Sequence, residues 1–427
     1  MPPPAPLPAA PPMPMPNFAA TFDPATSATN QIGLALYRQL AAARPDENLL
    51  LSPYSIQLAL AMAYGGADGE TRAEMARVLH FPSDDAPLTA SFRALRLELE
   101  AAAPKVAVTP VPVTAPPRRG RGSFRQPEPT ELHVVNRLYV QDGFGFRPEF
   151  LALMQEGYDA SFSAADFRQA AEPARATINN WVAEQTHQKI HDLIPPDGLN
   201  TYTRLVLVNA LYLKAQWAQT FYEGATRDRP FRVRGKEAVS VPTMAGSGLL
   251  SFGYAKHDGF TAITLPYRLG YLQFLILMPD APAGLDALIA KVTPELLRSH
   301  AQLPTVRAYF FMPKFKVETP TIPLKAMLQA LGMKTAFNVP AGSANFDRIA
   351  PRQPNDYLRL TEVYHKAYLV LDEHGTEAAA ATAGIGGAGG GPPKAPPEVH
   401  VDRPFLFAIQ ERESGLCLFL GRVTDPR

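Results

Sequence analysis

Between Leu205 and Leu213 the chain reads Leu-Val-Leu-Val-Asn-Ala-Leu-Tyr-Leu, a near-continuous apolar run with Asn209 at its centre. A run without polar alternation predicts a strand buried on both faces, crossing the middle of a sheet. Further strands are expected at Leu132–Val140, Thr261–Pro266, Tyr271–Met278, Arg307–Val317, Tyr368–Asp372, Phe405–Gln410 and Leu416–Val423. The N-terminal part instead has helical spacing: Ile32, Leu36 and Leu40 before Pro45, then Leu58–Tyr64, then the face of Phe92, Leu95 and Leu99. Thr71-x-x-Glu74 fits a capping box ahead of Met75, Val78 and Leu79. Helices at Ala174–Lys189, Ala287–Val292 and Leu324–Leu331 separate the later strands, the last closed by Gly332. Helices first, then long strands with helices between them, indicate an α+β domain rather than a βαβ repeat.

Composition excludes several functions. Lys+Arg 41 against Asp+Glu 40 gives a net charge of +1, so no global field recruits nucleic acid or acidic membrane. The one cysteine, Cys417, forms no intrachain disulfide and sits in an apolar run, where it reads as a small buried hydrophobe rather than a nucleophile. No strongly apolar, uncharged run approaches membrane-spanning length. Of 44 prolines, nine lie in 1–16, seven in 104–129 and four in 392–397, so tail, surface insertion and exposed loop stand apart from an ordinary body. The tail has no basic stretch followed by an apolar core, so no signal peptide is visible in it.

Nine separated segments, spanning about residues 30–425, carry a family resemblance when taken in order. Asn48-Leu-Leu-Leu-Ser52-Pro53-Tyr54-Ser55-Ile56 is followed by Gly65-Gly66-Ala67 and Thr71, then by Asn136-Arg137-Leu138-Tyr139. Leu207–Lys214 with Trp217 comes next, then Val241-Pro-Thr-Met244 and Met312-Pro-Lys-Phe315. Glu362–Ala367 leads into Asp372-Glu-His-Gly-Thr-Glu-Ala-Ala-Ala-Ala-Thr382, and Arg403–Phe407 and Phe419–Val423 close the chain. In these segments the chain resembles serpins.

The resemblance implies a single serpin-type domain at 25–427 behind a Pro-rich tail or spacer at 1–24. Helices would surround a large mixed β-sheet A, with smaller sheets and an exposed C-terminal reactive loop. It also implies a metastable inhibitor, not an enzyme. A target serine protease, or a cysteine protease by analogous chemistry, attacks the loop and forms an acyl-enzyme. The loop then inserts into sheet A as an extra strand and carries the covalently held protease with it. The expected partner is that protease, the expected state a monomer, and no cofactor or metal is implied. Family resemblance suggests an extracellular or cell-envelope location; a cytoplasmic one is the alternative.

Hinge and loop are expected at 373–400. Gly375 permits the backbone reversal. Thr376, Ala378, Ala380 and Thr382 alternate with Glu377, Ala379 and Ala381, so the first four share one strand face lined by small, uncharged groups. By itself the Ala378–Ala381 stretch would read as helix; the flanking Glu373, Gly375, Thr376 and Glu377 favour the hinge. Ser52, Pro53, Ser55, Asn209 and His365 resemble the shutter, a polar cluster under the sheet. A catalytic Ser–His pair is the sharper alternative there, and nothing nearby supplies a third member or an oxyanion hole. Trp217 with Lys314 and Glu373 resembles the breach, where insertion starts.

The reactive bond is ambiguous. Counting forward about fourteen residues from Gly375, as the family usually requires, reaches Gly389; counting back from Phe405 reaches Pro393. Ala388, Gly389 and Gly390 suit an elastase- or subtilisin-like protease with a small pocket. Lys394–Ala395 suits a trypsin-like one. Gly384-x-Gly386-x-x-Gly389 matches a dinucleotide pattern, but Pro392-Pro393 blocks the helix such a site must open. The insertion at 104–130 carries Arg118, Arg119, Arg121 and Arg125, a candidate polyanion contact, although a solvated Pro-rich loop is the simpler reading.

Overall fold

The computed structural model describes residues 24–82, 84–102, 131–158, 162–233, 237–268, 270–353, 356–376 and 396–427. Their strands form two sheets. The first, sheet A, has seven strands in the order Phe315–Glu318, Leu360–Leu371, Gly375–Thr376, Leu205–Gln216, Glu131–Gln141 and Phe162–Ala165, with Ile322–Pro323 also on Leu360–Leu371. It is mixed. Leu205–Gln216 runs parallel to Leu360–Leu371 and antiparallel to Glu131–Gln141. The apolar run at 205–213 is therefore an inner strand, buried along nearly its whole length.

The second sheet has ten strands. Thr305–Pro313 joins its two halves, pairing through residues 305–308 with Leu250–His257 and through 311–313 with Glu237–Ala245. Sequence reading takes Arg307–Val317 as one strand. The structure divides it, because Pro313 and Lys314 end one strand and Phe315–Glu318 starts another in sheet A. Pro cannot donate to a ladder, so a strand is free to change sheets there.

Helix Pro53–Gly66 lies between the sheets and is buried on every face except at Gly65. Ser52 caps it, its Oγ accepting from the Ser55 N–H at 3.2 Å, and Pro53 at the first position pre-sets the helical φ. Helix Phe167–Gln185 covers the other face of sheet A, where Phe167, Ile178 and Val182 pack with Tyr139, Val206, Val208 and Tyr364.

Thr71 does not cap a helix. Helix Gly69–Leu79 begins earlier, after Asp68. Thr71 Oγ1 accepts from the Asn345 N–H at 3.0 Å, and Glu74 accepts from the Lys334 and Thr335 N–H groups at 2.8 and 2.7 Å. Both side chains tie this helix to a distant loop. Cys417 is buried, and burial pushes its thiol well above the usual range, in keeping with a core residue. Among the described residues no helix is long and apolar enough to cross a membrane.

Gly421 marks the tightest backbone approach in the second sheet. A Cβ there would stand 2.5 Å from the Leu49 carbonyl oxygen and 2.5 Å from the Phe407 ring. Gly421→Ala should destabilise the protein by about 1–3 kcal/mol through overpacking, read as a lower denaturant midpoint with unchanged slope.

Candidate functional site

Leu205–Gln216 and Leu360–Leu371 pair only through residues 205–211 and 360–367. Above that point the strands part, and the chain itself enters the gap. Gly375 and Thr376 pair antiparallel with Gln216 and Ala215 on one side, and Thr376 pairs with Leu371 on the other. A two-residue wedge thus sits at the top of a sheet that is closed below it.

The turn leading into the wedge is held by its backbone. Asp372 Oδ1 accepts from the His374 and Gly375 N–H groups at 2.8 and 3.3 Å. Trp217 donates twice, from its backbone to the His374 carbonyl at 2.8 Å and from its indole to the Asp372 carbonyl at 2.9 Å. The Glu373 carboxylate accepts from Thr226 Oγ1 at 2.6 Å and from Lys314 Nζ at 3.1 Å. Burial by itself would raise the Glu373 pKa; the hydrogen bonds from Thr226, its own backbone and Lys314 outweigh it and hold the carboxyl below its usual range. The structure therefore brings Trp217, Lys314 and Glu373 together.

Gly375 is required by contact. A Cβ at this residue would run into the Ala215 carbonyl and stand 2.8 Å from the Gln216 Cα, at a φ of +153°. Thr376 is buried, and its Oγ1 lies 2.6 Å from the Tyr267 hydroxyl. Tyr267 stacks on Trp217 with ring centroids 4.8 Å apart and planes 8° from parallel. Burial raises the Tyr267 phenol above its usual range, so it stays neutral.

Six residues below the wedge along Leu205–Gln216, Asn136, Asn209 and His365 stand side by side on three adjacent strands. The Ser52 N–H donates to His365 Nε2 at 3.1 Å, so Nε2 is the acceptor and Nδ1 carries the proton. That Nδ1–H meets Asn209 Oδ1 at 2.6 Å. Asn209 Nδ2 then donates to Ser55 Oγ at 2.6 Å and to Asn136 Oδ1 at 2.7 Å. Ser52, Ser55, Asn209 and His365 are thus one hydrogen-bonded cluster joining the capped helix to both strands, with Pro53 beside it as the first residue of that helix. The ring meets the Ser52 backbone and not a serine hydroxyl, so no nucleophile–base pair is formed.

Tyr267, Thr226 and Asn136 belong to this region and are not among the residues singled out from sequence. Asn136 lay within a quoted motif, but only strand register sets it beside Asn209. Glu377, Ala378, Ala379, Ala380, Ala381, Thr382, Ala388, Gly389, Gly390, Lys394 and Ala395 lie outside the described residues, as do Arg118, Arg119, Arg121 and Arg125.

Sheet A thus holds a two-residue strand between two parallel strands at its top and a buried polar cluster between the same strands below. Residues 27–426 match the Serpin family, serine protease inhibitor, and the chain belongs to that family. It is 34% identical over 408 residues to leukocyte elastase inhibitor A of Rattus norvegicus, covering 94% of this chain and 99% of that one. Among solved structures, Serpin48 of the insect Tenebrio molitor superposes with a TM-score of 0.76 at 29% identity, covering 94% of this chain and 98% of that one. Human thyroxine-binding globulin superposes with a TM-score of 0.77 at 26% identity, covering 95% and 100%. Serpins are inhibitors and not catalytic enzymes, and this chain is one of them.

Burial lowers the His365 pKa from 6.5 to about 3, because the charged ring would lose its hydration. Its contribution to stability is therefore present above about pH 6.5 and is lost as pH falls toward 3. At pH 5 the loss should be about 2 kcal/mol. Thermal midpoints of the wild type and His365→Gln, measured at pH 7.5 and pH 5, check this: the wild type should fall further, with the titrations of other groups common to both proteins.

Proposed function

We propose that the protein inhibits serine endopeptidases by loop cleavage, acyl-enzyme trapping and strand insertion. The observation that carries this reading is the wedge of Gly375 and Thr376, already hydrogen-bonded between the two strands that must part.

The rest of the insertion follows from register. Six residues beyond Thr376 is Thr382; six back from Ala215 is Asn209, and six back from Leu371 is His365. An inserting strand that keeps this register brings Thr382 between Asn209 and His365, where its hydroxyl replaces the hydrogen bond it interrupts. Ala378 and Ala380 pass along the inner face with Thr376, offering no bulk and no charge. Glu377 falls opposite Lys214 on the outer face, where an acid meets a base.

The chemistry belongs to the protease. Its serine Oγ bonds to the loop carbonyl carbon, the peptide C–N bond breaks, and the amine leaves with the C-terminal segment. Hydrolysis of the remaining ester must lose the race against insertion. The name of the rat relative, an elastase inhibitor, supports a bond at Ala388, Gly389 or Gly390 over Lys394–Ala395. A cysteine protease would be held through the analogous thioester.

A second reading is favoured by one feature. Six glycines between Gly384 and Gly391 lower β propensity in the later part of the strand, which suits a carrier, chaperone or simple substrate whose insertion stalls.

Incubation with elastase-, subtilisin- and trypsin-like proteases, followed by denaturing gels, separates the readings. A protease–protein band that survives denaturation is expected with the first two, and the mass of the released C-terminal peptide locates the bond. Cleavage with no such band under any protease would overturn the inhibitor reading. Thr382→Arg should keep cleavage and lose the band, because a guanidinium cannot enter the buried space between His365 and Asn209; a variant that traps normally would refute the register.

A further inference from the structure

On the outer face of sheet A, away from the polar lock, Glu131, His133 and His187 converge. One ligand atom from each lies within 4.8 Å of the others, and they are the one such group of three among the described residues. Glu131 Oε2 is 3.1 Å from His187 Nε2 and 3.7 Å from His133 Nε2. A tetrahedral ion with bonds of about 2.0–2.2 Å holds adjacent ligand atoms about 3.3 Å apart. The two separations from Glu131, 3.1 and 3.7 Å, bracket that spacing, and the two histidine nitrogens lie within 4.8 Å of each other.

The supporting scaffold fixes them. Glu131 and His133 are two apart on one strand and so share a face. His187 comes from the turn after helix Phe167–Gln185, where His187 and Gln188 both adopt left-handed backbone, with φ of +51° and +61°. That turn is closed by Gln188 N–H to Ala183 C=O at 2.8 Å and Lys189 N–H to Thr186 C=O at 2.9 Å. Tyr212 packs against both imidazoles, at 5.8 and 5.0 Å between ring centroids, and walls the site from below. The side chains of Glu131, His133 and His187 are 24%, 41% and 50% exposed, so an ion can reach them.

We propose that Glu131, His133 and His187 form a binding site for a divalent transition-metal ion of the zinc class. Two imidazoles and one carboxylate suit a borderline ion and leave a fourth position to water. Lys214 Nζ is 3.4 Å from the other carboxylate oxygen, Oε1, which leaves Oε2 to the ion. A bound ion fastens the turn after helix Phe167–Gln185 to the sheet beneath it. That such a tether slows strand uptake rests on the inhibitor reading above; binding itself does not.

The test uses the full chain and Zn2+. Calorimetric titration should show one saturable site, with affinity at least ~10-fold weaker in His133→Ala and in His187→Ala. His257→Ala, in a separate two-histidine contact with His300, should bind as the wild type does. Zn2+ should also raise the thermal midpoint of the wild type and of His257→Ala, but not of His187→Ala. Circular dichroism of the metal-free variants confirms that they fold. No saturable binding below millimolar Zn2+, or equal affinity in the wild type and both ligand variants, overturns the site. Protease trapping is measured separately without metal, so failure of the inhibitor reading leaves this result standing.

Discussion

The structure depends most on one hydrogen-bonded histidine. His365 accepts a hydrogen bond from the Ser52 N–H and donates one to Asn209, and in doing so it holds two parallel strands and the helix beneath them in one unit. The arrangement is stable without being deep. Each hydrogen bond contributes only about 1 kcal/mol net, but breaking the set strands buried polar atoms in a dry space, which costs more than the bonds themselves supply. Such a sheet is held by a barrier as much as by its equilibrium free energy.

Above the lock the requirements reverse. The turn at Asp372–Gly375 is fastened to Trp217, Phe221, Thr226 and Lys314, all from other elements, so the wedge is anchored at its start. The Trp217–Tyr267 stack fills the space beneath the wedge and gives the Thr376 hydroxyl a partner. On the insertion mechanism proposed above, the first two residues of the strand are already paired, and six residue steps separate Ala215 from Asn209.

How much of this could be read from sequence depends on where burial leaves a pattern. The run at 205–213 was legible because a strand covered on both faces has no alternation to obscure it. Its parallel neighbour was legible only at its end, as Tyr368–Asp372. Glu362, His365 and Lys366 interrupt the apolar pattern of Leu360–Leu371, and all three bond to groups on other parts of the chain. The Thr71/Glu74 spacing looked like a cap because the same two side chains satisfy backbone N–H groups, though those of a distant loop. Shutter and breach came from resemblance to serpins, since no local pattern places Ser52 beside a histidine 313 positions later. Asn136, Thr226 and Tyr267 needed register or a third dimension.

Period-two alternation lets one strand serve two purposes. On Leu205–Gln216, Asn209 and Ala215 face inward to the lock and the wedge, while Tyr212 and Lys214 face outward to Glu131, His133 and His187. A group binding the outer face therefore touches this strand without occupying the inner face, where the proposed insertion would run. Inner-face changes alter whether the loop fits. The two faces can then be changed separately by substitution; under the trapping mechanism proposed above, inner-face changes bear on the fit of the inserting strand and outer-face changes on its rate.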